Sequence, residues 1–353
     1  MNQAVFGKKI IEWYQEHKRS LPWRETTDPY KIWLSEIILQ QTRVAQGLPY
    51  FERFIKSFPT IFQLAKAPLS NVLRLWQGLG YYSRARNLHA CAKKVVDDYD
   101  GKFPATFQEL KKLSGIGPYT AAAIASIAFK EGVAVVEGNV FRVLSRVFGI
   151  DTDITSPEGK TFFFAKANEL IHNHAPDLFN QAMMEFGALH CLPKNPKCEE
   201  CIFSKTCLAN QQGLQGLLPV KSKKTKVRKR YLYYFVIQHQ NKILMKERGS
   251  KDIWQGLYDF YLIEKTRTQK IENLLKENPL LSTYQPIMVS KPIKHILSHQ
   301  QLMARFIQLE IKSKSKFDQL AKSFGLKAFS AKEINRLPKP ILIDRYLDQI
   351  YLK

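Results

Sequence analysis

Four of the five cysteines fall in one short segment, Cys191-x6-Cys198-x2-Cys201-x5-Cys207, directly after a helical stretch that ends NQAMMEFGALH. Thiols gathered this closely, without the two separated CxxC knuckles of most structural zinc sites, point to a compact four-thiolate centre. On spacing alone, a four-cysteine zinc clip or a pair of disulfides stays open. Cys91, in the helical stretch NLHACAKKVV, reads as a buried small hydrophobe.

A chain of 353 residues is long for one core, so two domains are expected. The formal charge of +23, from 54 Lys and Arg against 31 Asp and Glu, calls for a polyanionic partner. No apolar run approaches the roughly 18 to 20 residues a spanning helix needs, so no membrane partner is expected. The N-terminus shows no apolar core of an export signal, so export is not expected, and a reducing cytoplasm, where clustered cysteines serve metals, is the expected compartment.

From residue 1 to 215 apolar residues recur at three and four, as in IWLSEIILQ, LSNVLRLWQGL and YTAAAIASIAF, so this half is expected to be all helical. Residues 216–230, GLLPVKSKKTKVRKR, break that pattern with a Pro and a basic run, and read as an interdomain linker. In residues 231–353 the segments YLYYFVIQ, KILMKER, LYDFYLIE and MARFIQLEI are short and rich in aromatic and branched residues. They predict the strands of a smaller α+β domain, the first two joined at HQN.

Residues 107–129 give two helical patterns around SGIGP. Gly115 and Gly117 leave backbone N–H groups approachable where the second helix begins, a way to hold a phosphate without base preference. A plain helical hairpin fits the local pattern equally well.

Taken together, LSEIILQQT (34–42), GLGYYSRARNL (78–88), LSGIGPYTA (113–121), VEGNVFRVLSR (136–146) and the cysteine loop resemble the adenine DNA glycosylases called MutY, in the endonuclease III superfamily. The resemblance implies an all-α N-terminal helix-hairpin-helix glycosylase fold with an iron-sulfur loop, residues 191–207, whose Cys191, Cys198, Cys201 and Cys207 hold a [4Fe-4S] cluster. It implies further a C-terminal Nudix-like domain, residues 231–353, that reads 8-oxoguanine through HILSHQ (295–300), with Ser298 and His299 at the polar contact positions. Leu297 stands where the family usually has phenylalanine. The glutamate-rich signature of Nudix hydrolases is missing, since KTRTQKIENLL offers no acidic cluster for magnesium.

The implied activity is monofunctional removal of adenine mispaired with 8-oxoguanine or guanine in double-stranded DNA, by a monomer in the bacterial cytoplasm. Endonuclease III carries at position 119 a lysine that forms a Schiff base and cuts the strand; this chain has Tyr119. By resemblance Glu36 is the acid that protonates adenine, which requires a pKa raised by a site closed to water. On pattern alone it shares a solvated polar stripe with Gln40 and Arg43. Glu137, where the family has aspartate, is the second carboxylate, expected to stay ionised at a helix start and to stabilise the sugar cation. Asn139 is expected to hold a water or orient the acids, and Tyr119 to donate to the second acid; read alone, Asn139 is an N-cap and Tyr119 a packing residue.

Adenine must be rotated out of the duplex. Gln41, Leu79 and Tyr81 match the wedge residues, Arg24 the adenine pocket, and Gln41 with Thr42 the contacts to the opposite base. Lys194, Lys197 and Lys205 are expected to meet phosphates. Two rival readings are an endonuclease III-like pyrimidine glycosylase with lyase activity and a catalytically weak mismatch sensor.

Overall fold

Polar caps and prolines set where the N-terminal helices begin. In the computed structural model, which describes residues 3–222, 227–250 and 252–351, Asp28 accepts from Tyr30 N at 2.9 Å and starts the Pro29–Leu39 helix. Thr60 and Gln63 form a reciprocal capping box at Ile61–Lys66, and Ser156 accepts from Gly159 N at 2.9 Å ahead of Pro157–Ile171. Each cap satisfies a backbone donor that the helix itself leaves open.

The chain divides into two units, Met1–Ala67 with Arg86–Lys224, and Pro68–Ala85 with Thr225–Lys353. Among the described residues the first unit holds helices and no strand. Its Pro118–Phe129 helix is buried from Thr120 through Ile127, as its apolar composition on every face demands. Phe6, Ile10 and Trp13 of Gln3–His17 share a core with Phe179, Met183 and Phe186 of Pro176–Leu189, and the Phe6 ring stacks on Phe203 at 4.9 Å. Cys91 is fully buried, and burial pushes its thiol up to about 12.

Residues 216–230 do not behave as one free linker. Leu218 is buried in the helical core, its carbonyl accepting from Arg146 Nε at 3.1 Å, and Val220 O accepts from Ile154 N at 3.1 Å. Residues 228–230 already belong to a strand. The expected linker residues 223–226 lie outside the described residues. An apolar pair in an otherwise basic run explains the difference, since Leu218 and Val220 are hidden more favourably than exposed.

The second unit is built on a mixed sheet: β1 Arg228–His239, β2 Lys242–Glu247, β3 Tyr258–Asp259, β4 Tyr261–Lys265, β5 Met288–Val289, β6 Ile293–Ile296, β7 Gln300–Glu310 and β8 Lys327–Ser330. β1 is central. It runs parallel to β7, with Tyr231 opposite Met303, and antiparallel to β4, with Tyr233 opposite Ile263. Alternation sends Tyr233, Phe235 and Ile237 into a core with Leu274, Phe317 and Leu320, while Tyr234 stacks on Phe306 at 5.2 Å on the other face. The turn at Gln240 is left-handed, φ 52°, matching the hairpin expected at HQN.

Residues 68–85, expected in the helical domain, belong to this second unit. Gln77 Oε1 accepts from Lys339 N at 3.0 Å, and the Tyr82 hydroxyl donates to Lys339 O at 3.4 Å. Among the described residues no helix is long and apolar enough to cross a membrane.

Truncating Leu218 to Ala is expected to destabilise the helical unit by about 2 to 5 kcal/mol, read from denaturant unfolding. An unchanged midpoint would return residues 216–220 to a loose linker.

Candidate active site

Glu36 is carried on the Pro29–Leu39 helix and is only 6% exposed. The helix stops at Leu39, so the polar stripe through Arg43 does not exist, and Glu36 faces the interior instead. Burial pushes its carboxyl up to about 7; the Tyr119 hydrogen bond and Arg24 oppose the shift, and the negative charge of Glu137 adds to it. The Tyr119 hydroxyl donates to Glu36 Oε2. Tyr119 therefore donates to the first acid, because its helix begins at Pro118, capped by Gly117, and packs against the Pro29–Leu39 helix.

Glu137 caps the Gly138–Phe148 helix, Oε1 accepting from Asn139 N at 2.8 Å and Val140 N at 3.3 Å. A glutamate is an unusual cap, and its extra methylene is absorbed by folding back onto its own helix start. Burial raises its carboxyl, opposed by those backbone donors, by Asn139 and by Arg142. The expectation of a simply ionised acid counted the helix start and missed this burial. Asn139 is not the N-cap, since Glu137 holds that position; its Oδ1 accepts from Arg142 Nη2 at 2.8 Å.

Side chains that the sequence reading did not single out place these groups. Asn180 accepts from Val135 N at 2.9 Å and donates to Val133 O at 2.9 Å and Ser126 Oγ at 2.8 Å, holding the extended run that leads into Glu137. Gly187 sits under Asn139, where a Cβ would come within 2.5 Å of the Asn139 Cβ. Arg142 donates to Gly187 O at 2.6 Å and, through Nε, to Cys191 O at 2.7 Å, so one guanidinium joins Asn139 to the start of the cysteine loop. Glu185 is buried, and although burial raises its carboxyl, bidentate bonds from Arg24 and further bonds from Arg19 carry it down to about 2. Arg24 is thus held by an acid whose only sequence signal is its place in the apolar run MMEFGAL.

The four loop cysteines, all free thiols, line one cavity of about 20 Å³ together with Arg146, Phe186 and His190. Burial pushes Cys201 up to about 11, and the charges of Cys191, Cys207 and Cys198 push the same way. Arg146 Nη1 lies 3.5 Å from Cys191 Sγ, and Phe203 N donates to Cys201 Sγ at 3.4 Å. Among the described residues no three His, Cys, Asp or Glu side chains gather closely enough to hold a single metal ion. Four thiols lining one cavity are soft donors of the kind that hold zinc or an iron-sulfur centre. Lys194, Lys197 and Lys205 of the loop are exposed.

At the hairpin, Gly115 is left-handed at φ 76°, and a Cβ there would meet the Asn87 Cβ at 2.7 Å, so only glycine fits. Gly117 is exposed and open, as a phosphate cradle requires. Gln41 is exposed at a left-handed φ of 55° just past the Pro29–Leu39 helix, and Thr42 donates to Gln40 O at 3.4 Å. Of the two glycine-loop wedge residues, Tyr81 is exposed and left-handed, φ 48°, whereas Leu79 is buried. In the second unit Ser298 and His299 occupy the tip of the β6–β7 hairpin, closed by Leu297 N donating to Gln300 O at 2.8 Å, and Ser298 Oγ touches the Tyr81 hydroxyl.

A protein named adenine DNA glycosylase from Buchnera aphidicola subsp. Baizongia pistaciae is 34% identical over 350 residues, covering 97% of this chain and 96% of the relative. This chain belongs to the adenine DNA glycosylase family. Another so named, from Rattus norvegicus, is 43% identical over 224 residues, 61% of this chain and 43% of its own length. The model of the HhH-GPD superfamily of base excision DNA repair proteins matches residues 34–165, and a NUDIX domain model matches residues 233–349. Among solved structures, a thermostable thymine-DNA glycosylase aligns with a TM-score of 0.56 at 30% identity, over 60% of this chain and 97% of that one. The helical unit thus has the glycosylase fold of the family, and the mixed-sheet unit is Nudix-like.

The raised Glu36 carboxyl ties stability to pH. Its folded pKa of about 7 exceeds the ordinary 4.5, so its contribution is complete below 4.5 and is lost as pH climbs through 7. Glu36→Gln cannot ionise and is expected to gain on the order of a few kcal/mol over the parent at pH 8, with little difference at pH 4.5. Equal differences in denaturant unfolding at the two pH values would remove burial as the cause.

Proposed function

We propose that the chain excises adenine paired with 8-oxoguanine or guanine, by hydrolysis of the N-glycosidic bond of an extruded nucleotide, without cutting the strand. The observation that carries this reading is the buried Glu36, bonded by the Tyr119 hydroxyl, whose carboxyl burial pushes up to about 7, with a second buried carboxyl at Glu137. Glu36 gives its proton toward N7 of adenine as the C–N bond breaks, and Glu137 steadies the positive sugar until water adds. Tyr119 holds the Glu36 carboxyl in place, and Asn139, fixed by Arg142, orients Glu137 or a water.

Gly115 and Gly117 grip a phosphate, Arg24 lines the adenine pocket, Tyr81 with Gln41 fills the gap left by the flipped base, and Thr42 meets its partner. Leu79, being buried, supports that wedge from within. Residues 231–353 read the oxidised base at Ser298 and His299, and the basic residues between the units track phosphates. Cys191, Cys198, Cys201 and Cys207 would hold a [4Fe-4S] cluster that fixes the loop presenting Lys194, Lys197 and Lys205. Such a cluster supplies structure here, and no step of base release passes through it. We place this chemistry in the bacterial cytoplasm, with the enzyme acting as a monomer.

Single-turnover kinetics on duplexes holding one adenine opposite 8-oxoguanine, guanine or thymine test the reading. Release is expected to be fastest with 8-oxoguanine, slower with guanine and absent with thymine, and borohydride is expected to trap no covalent complex. Equal release opposite thymine, or efficient trapping, would favour a different glycosylase. The purified protein is expected to contain iron and acid-labile sulfide in equal amounts; stoichiometric zinc without sulfide would replace the cluster with a zinc clip.

A further inference from the structure

Trp254 is a bulky, buried residue in left-handed backbone, φ 67°, a conformation that persists only where its surroundings enforce it. Its loop is closed by Gly256 N donating to Arg248 O at 2.9 Å and Arg248 N donating to Leu257 O at 2.8 Å. Beside it lies an ion network in which Arg230 and Asp259 are buried and Asp252 and Glu264 reach the surface. Arg248 donates to Asp252 Oδ2 and to Asp259 Oδ2, each at 2.6 Å, while Arg230 clasps Asp252 at 2.9 and 2.8 Å and donates through Nε to Glu264 at 2.7 Å.

This block reaches the β6–β7 hairpin at two points, one on each strand. The Trp254 ring lies 6.0 Å from that of His295 on β6, and Arg230 Nη1 donates to Gln300 Oε1 on β7 at 2.9 Å. Ser298 and His299 lie between these grips, with Arg228 N donating to His299 O at 2.9 Å and the Tyr81 hydroxyl against Ser298 Oγ. A two-residue tip with neither glycine nor proline has little stiffness of its own, so its aim is set by what holds the strands together with these two contacts at the tip. An exposed reading loop, by contrast, would surrender part of its selectivity to side-chain and backbone freedom.

We infer that Arg230, Trp254 and Gln300 are positioning residues that aim the hairpin tip at the base opposite adenine, and that the Arg230 to Gln300 bond sets discrimination between 8-oxoguanine and guanine. The inference rests on the proposed reading of the oxidised base by Ser298 and His299. None of the three needs to touch DNA. Their effect passes through the tip.

Gln300→Leu cuts the tie while leaving Arg230 paired with Asp252 and Glu264; Gln300→Glu keeps an oxygen acceptor for the guanidinium. Single-turnover release is measured for the full-length parent and both variants on duplexes with adenine opposite 8-oxoguanine and opposite guanine, beside thermal unfolding. For Gln300→Leu the ratio of the two rates is expected to fall about tenfold, as loss of one charge-assisted hydrogen bond brings, with the unfolding midpoint near that of the parent. Gln300→Glu is expected to restore the ratio. A parental ratio in Gln300→Leu, or a Gln300→Glu variant as poor as the leucine one, would overturn the inference. A parent without any preference would instead remove the reading beneath it.

Discussion

A carboxyl group withdrawn from water pays for its ionisation, and the helical unit is arranged around one such group. Glu36 sits among apolar neighbours on the Pro29–Leu39 helix, where desolvation outweighs the Tyr119 hydrogen bond and the field of Arg24. The packing that raises this acid is the same packing that closes the helical core, since Pro118–Phe129 lies against Pro29–Leu39 and brings Tyr119 with it. The burial that raises the carboxyl is thus part of the packing of the helical unit.

The second acid is placed by different means. Asn180 ties down the strand-like run into Glu137, the helix start receives its carboxylate, and Arg142 carries the arrangement on to Cys191 O. Arg146 then holds the carbonyls of Leu192, Pro193 and Leu218 at 2.6, 3.1 and 3.1 Å, so the cysteine loop and the packed end of the helical unit share an anchor. Two buried arginines thus span from the reacting groups to the thiol cavity.

Much of this was legible in the residues. The helical period of the first half, the two glycines before Pro118 and the short aromatic and branched segments beyond the basic run each have a local physical cause, and each corresponds to elements in the structure. Burial is where local pattern failed. Periodicity places Glu36 on a stripe with Gln40 and Arg43 because it cannot see that the helix ends at Leu39, and it cannot show that Glu185 meets two arginines some 160 residues away, at separations of 161 and 166. Likewise Leu69–Trp76 reads as one more helix of its half, although its surroundings lie in the other unit, and nothing local marks Trp254 as left-handed.

The central claim is that the buried carboxyl at position 36 delivers the proton that frees adenine. Its most direct test is the single-turnover rate of adenine release from a duplex pairing adenine with 8-oxoguanine, measured for Glu36→Gln beside the parent at neutral pH with binding to the duplex confirmed. The account predicts a fall of about a hundredfold or more with binding kept. Release at the parental rate would contradict it.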